Sequence, residues 1–63
     1  MKAKELRDLT DEELKQRYAD TEQELFDLRI QKSTGQLEHP LRIRGLRKDV
    51  ARIRTMMVER KIG

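Results

Sequence analysis

The sequence predicts an all-α protein: an antiparallel two-helix hairpin, with long helices at about residues 10–34 and 40–61, preceded by a short N-terminal helical turn or arm. Three observations predict it. Between residues 40 and 62 the apolar side chains Ile43, Leu46, Val50, Ile53 and Met57 recur at steps of three and four, which is one stripe of an α-helix. Leu14, Tyr18, Thr21, Leu25, Leu28 and Lys32 keep the same beat earlier in the chain, as a heptad-like seam whose weak points are Thr21 and Lys32. Neither Gly nor Pro interrupts residues 11–34, whereas Gly35 and Pro40 bracket a short connection, and helices joined by so few residues fold back on each other.

Each element has its own local signals. Residues 1–9 are mixed in charge, with Leu6 and Leu9 three apart, so order is expected only where those leucines find the core. Thr10 and Glu13 form a capping box, flanked by Leu9 and Leu14 at the positions of a hydrophobic staple. Asp11, Glu12 and Glu13 place negative charge on the positive end of the helix dipole. Gly35 is comfortable at positive φ and suits the stop of the first helix. Pro40 suits the first turn of the second, where its missing amide is not needed. The two seams match in antiparallel register when Leu28 faces Leu46, Leu25 faces Val50, Thr21 faces Ile53 and Tyr18 faces Met57. Gly45, early in the second helix, is put down to close packing or to no role.

A chain of 63 residues forms one small domain, 1–63, and buries only about 60% of its unfolded surface. Charged residues make up 43% of it and aromatics 3%; such charge density means disorder or a long solvated helix, and the regular apolar beat decides for helix. The net charge of +3 hides an asymmetry. Residues 1–39 carry seven basic and ten acidic side chains, residues 40–63 eight and two. A polyanion contacted by the second half is the natural partner.

Several classes are set aside. There is no Cys, so neither a disulfide framework nor a thiolate metal site is available, which fits a reducing compartment. His39 alone cannot build a zinc site, and Ser33 and His39 at a turn make no catalytic pair. An enzyme, a cofactor, a metal and a small-molecule substrate are therefore not expected. No apolar run approaches the roughly 20 residues of a membrane span, and no secretory h-region opens the chain; a soluble, cytosolic protein is expected.

The cationic face of the second helix remains. Opposite the stripe lie Arg44, Lys48, Arg52 and Thr55, with small Ala51 among them leaving room for a phosphate backbone. The excess is of one sign, and arginine outnumbers lysine six to two between residues 40 and 63; arginine suits bidentate phosphate contact. Phe26 and Ile30 form a second anomaly, adjacent on the first helix yet pointing away from its seam. Either they pack against the arm or loop, for instance Leu6 or Leu37, or they form an exposed patch for a neighbouring protein or an unstacked base. The competing class is a protein-only coiled-coil adaptor whose heptads pair between chains.

The stretches LRIQKSTGQLEHP and IRGLRKDVARIRT, with the KAKELRDLTDEEL start, resemble the bacterial large-subunit ribosomal protein twenty-nine family over essentially the whole chain. The resemblance implies a helical hairpin seated on large-subunit rRNA near the polypeptide exit tunnel, cytoplasmic and in the ribosome. It implies ribosomal protein twenty-three as neighbour, close to where nascent-chain factors such as trigger factor and signal recognition particle dock. At matching positions it implies Arg29, Gln31, Gln36, Arg47, Lys48, Arg52 and Thr55 as RNA contacts and Gly35 as the turn. Lys48 stands where many relatives carry Arg, which departs from bidentate contact there. Phe26 and Ile30 are the candidates for a protein contact.

Overall fold

The computed structural model of the chain describes residues 3–36 and 39–62. Three helices follow in order: α1 (Ala3–Arg7), α2 (Asp11–Ser33) and α3 (Pro40–Glu59). The long pair packs together along its length and α1 lies against α3, giving a rod of 38 × 19 × 14 Å. The expected antiparallel hairpin with a short N-terminal helical turn is what forms.

The start of α2 is the capping box that Thr10 and Glu13 encode. The Thr10 hydroxyl accepts from the Glu13 amide at 3.1 Å, and the Glu13 carboxylate accepts from the Thr10 amide at 3.0 Å. These bonds to the charged form, from the Thr10 amide first and its hydroxyl second, hold the Glu13 carboxyl below its ordinary range. At its other end α2 stops in a Schellman motif. The amides of Gly35 and Gln36 donate to the carbonyls of Lys32 and Gln31 at 3.2 and 2.8 Å, with Gly35 at φ 76° as the left-handed residue. Thr34 is the cap and not part of the helix.

α3 opens on Pro40 with His39 as its N-cap. It ends two residues earlier than the expected 61, and the reason is a second Schellman motif. Lys61 stands at φ 59°, and the amides of Lys61 and Ile62 donate to the carbonyls of Val58 and Met57, each at 3.0 Å. A lysine in this conformation costs about 1–2 kcal/mol relative to glycine. The fold-back turns Ile62 onto the core, and that burial offsets the strain.

The core lies in two clusters. At the chain-end side of the rod, Leu6, Leu14 and Ile53 are buried, with Leu9, Tyr18, Met56, Met57 and Ile62 packed around them. Toward the turn, Leu25, Ile43 and Leu46 are buried against Leu28 and Val50. Buried Thr21 is the polar residue on the seam; its hydroxyl donates to the Arg17 carbonyl at 2.7 Å, so the weak point is satisfied. Lys32 departs from expectation. It is exposed, because the seam has already reached its end and a long cation gains hydration by leaving it.

Leu6 is only 1% exposed and belongs to the Leu14–Ile53 cluster. It is therefore not the partner of Phe26 and Ile30, which stand 58% and 47% exposed. Leu37, the other proposed partner, lies outside the described residues. A Cβ at Gly45 would meet nothing within 4 Å, so close packing does not explain that glycine.

Candidate nucleic-acid interface

Every residue singled out for RNA contact is exposed: Arg29, Gln31, Gln36, Arg44, Arg47, Lys48, Arg52 and Thr55. What separates them is their surroundings. The basic residues of α3 do not act as one cationic surface, because two of its arginines and its C-cap Arg60 are paired inside the chain. Arg42 pairs with Glu24. Arg54 donates to the Tyr18 hydroxyl at 2.7 Å, lies over that ring at 5.8 Å and approaches Glu22 at 3.8 Å. The Tyr18 bond holds the Arg54 guanidinium above its ordinary pKa. Arg60 is engaged by the N-terminal arm and by Asp11 at the start of α2.

The cations left over gather on the remaining surface. Arg29 and Lys32 of α2 line one depression with Ser33, Ile43 and Arg47. Lys32 and Arg47 line its continuation with Arg44, Pro40 and Leu41. Among the described residues none of Arg29, Lys32, Arg44, Arg47 or Lys48 has a carboxylate partner. Four unpaired cations thus ring Ile43 at the turn end of the rod, from two helices. Lys48 follows Arg44 one turn along α3 and continues the charge down its outer face.

The other expected contacts lie apart from this group. Arg52 has an interaction within the chain. The Thr55 hydroxyl donates to the Ala51 carbonyl at 2.9 Å, which leaves its lone pairs for a partner. The opening expected at Ala51 is flanked, because Ala3, Leu6 and Arg7 of α1 share one depression with Ala51, Arg52, Thr55 and Glu59. Arg7 so joins the outer face, a position that no helical period in residues 1–9 could indicate. Gln31 lies about 200° around α2 from Arg29, off the groove. Its carbonyl accepts from the Gln36 amide at 2.8 Å and the Thr34 hydroxyl at 3.0 Å, so the two glutamines meet through backbone at the turn. Lys32 was missed as a site residue because its heptad position reads as seam.

Arg60 is the other functional side chain hidden in the basic run. One guanidinium nitrogen donates to the carbonyl of Leu9 at 2.7 Å and to Asp11 Oδ1 at 3.2 Å; the second donates to the carbonyls of Leu6 and Arg7 at 3.2 and 3.1 Å. It closes the C-terminal carbonyls of α1 and binds the end of α3 to the start of α2.

Among the described residues no group of His, Cys, Asp and Glu could hold a metal ion, and no helix is long and apolar enough to cross a membrane. The model of the family described as Ribosomal L29 protein matches residues 4–60. Large ribosomal subunit protein uL29 of Carboxydothermus hydrogenoformans is 58% identical over 63 residues, all of this chain and 91% of that protein. Those of Caldanaerobacter subterraneus and Desulforudis audaxviator are 54% and 51% identical over all of this chain, covering 96% and 94% of theirs. An unbroken match of that length assigns the chain to the ribosomal L29 protein family, a family of structural, non-enzymatic proteins of the ribosome.

Proposed function

We propose that this protein, a structural constituent of the large ribosomal subunit, binds large-subunit rRNA through the turn-end cations and the outer face of α3. Its place there is near the polypeptide exit tunnel, beside ribosomal protein twenty-three, where nascent-chain factors such as trigger factor and signal recognition particle dock. The observation that carries the RNA contact is the sorting of charge. Arg42, Arg54 and Arg60 have partners inside the chain, while among the described residues Arg29, Lys32, Arg44, Arg47 and Lys48 have no carboxylate partner, and the first four line adjoining depressions. Unpaired arginines at that density repel one another and are stabilised by phosphate. The coiled-coil adaptor is disfavoured because Leu25, Ile43, Leu46 and Ile53 are already buried within one chain, leaving no seam to pair with a second.

Phosphate contact makes binding salt-dependent. Neutralising about five phosphates gives a slope of log affinity against log salt of roughly −4. Replacing Arg47, Lys48 and Arg52 by Gln is expected to abolish rRNA retention while helicity persists, since all three are exposed. A triple variant that binds rRNA with the wild-type slope would refute the assignment.

A further inference from the structure

We infer that the Phe26–Ile30 edge of α2 is a seat for an unpaired nucleobase, continuous with the phosphate groove; the inference rests on the rRNA reading above and adds a base contact to it. Phe26 and Ile30 are four residues apart, hence neighbours on the helix surface, and both remain largely exposed although the core has room for Leu6 and Ile62. Phe26 lines a shallow depression with Ala19, Glu22, Gln23, Leu25 and Arg29. Arg29 also lines the groove holding Lys32 and Arg47. One guanidinium therefore joins an aromatic face to a row of unpaired cations. That is the arrangement by which single-stranded RNA is held, with a base on the ring and its phosphates on the arginines.

Charge favours a base, because Arg29 carries the cationic groove to the edge of the ring. Glu22, which lines the same depression, is balanced by Arg54 at 3.8 Å and accepts from the Tyr18 hydroxyl at 2.9 Å, and Asp27 accepts from the Gln23 side-chain amide at 3.0 Å. The exposed part of Phe26 amounts to roughly 100–150 Å², enough to stack one base.

The chain contains no Trp, so Phe26→Trp is a single-indole reporter. Titrated with purified large-subunit rRNA, it is expected to bind and to lose indole emission on binding, since an indole also offers a face for stacking. Phe26→Ala is expected to bind about 5- to 140-fold more weakly at fixed salt. Its salt slope stays at the wild-type value, because stacking releases no counterions. With p-benzoylphenylalanine at position 26 in assembled large subunits, irradiation is expected to give a nuclease-sensitive protein–RNA adduct. Wild-type affinity in Phe26→Ala, unquenched indole, or a protein–protein adduct alone overturns the inference and gives the edge to a protein. If wild-type chain itself fails to bind rRNA, the RNA reading falls first. If only the Phe26 variants behave as wild type while the Arg47, Lys48 and Arg52 triple variant loses binding, the base seat alone falls.

Discussion

Arg60→Ala is predicted to release the N-terminal arm and to destabilise the hairpin by about 2–3 kcal/mol. The figure follows from the contacts of one guanidinium whose side chain is 21% exposed. Three bonds go to backbone carbonyls and one to Asp11 at 2.7–3.2 Å; hydrogen bonds from a charged donor contribute about 1.5–3 kcal/mol each. They do not add. Asp11 is exposed and its pair contributes little, and water replaces part of what the carbonyls lose. Counting the carbonyl group as one to two effective bonds gives the stated range. In a domain this small, 1 kcal/mol moves the melting temperature by roughly 4–8 °C, so the variant is expected to melt at least 8 °C lower by circular dichroism. Amide exchange in α1 should rise with it, since Leu6 loses its cover. Arg60→Lys keeps the charge near Asp11 but not the planar fork, and should recover less than half of the loss. A melting point within 2 °C of wild type for Arg60→Ala, or full recovery by Arg60→Lys, would refute the clasp.

Two further outcomes follow from the same geometry. Gly45→Ala should stabilise the isolated chain by about 1 kcal/mol, because the new methyl meets open space; a lower melting point would show that the backbone there is not ordinary helix. The Glu13 cap should report on acid. Its carboxyl is held below the ordinary value of 4.5, so the cap's stabilisation is present above that pH and is lost as pH falls through the lower folded value. Gln at position 13 can still accept from the Thr10 amide but does not titrate. The stability difference between wild type and Glu13→Gln should therefore change below about pH 4.5 and be constant above it; a difference constant down to pH 3 would contradict the assignment.

What could be read in the chain was local. The Thr10–Glu13 box, the Gly35 stop, the Pro40 start and the two stripes each depend on residues within a few positions of one another, and each stands where it was expected. The fate of individual arginines was not local. Arg42 finds Glu24 across 18 residues, Arg54 finds Tyr18 across 36 and Arg60 finds Asp11 across 49, so composition treated as one basic face what packing divides in two. Lys32 read as seam and is surface, because periodicity does not say where a groove runs out. The early end of α3 had no sequence signal either: Lys61 takes a conformation that glycine prefers, and the burial of Ile62 behind it is a tertiary effect.

The two ends of the rod are stabilised by opposite means, and this links fold to function. At the chain-end side, α1, the Arg60 clasp, Ile62 and two methionines enclose Leu6, Leu14 and Ile53. At the turn, three buried side chains hold the helices together while Arg29, Lys32, Arg44 and Arg47 repel one another around them. Nothing within the described residues neutralises those four charges. Under the proposed rRNA contact, a phosphate backbone in the groove would remove the repulsion and bind only the closed hairpin, since the open one scatters the cations onto separate helices. By mass action such a ligand stabilises the turn end most. The lack of carboxylate partners among the described residues is thus a stability deficit in the free chain and, on the proposed reading, the source of its affinity: each acid placed there to quiet Arg47 or Arg44 would tighten the hairpin and is predicted to weaken rRNA binding by the same charge.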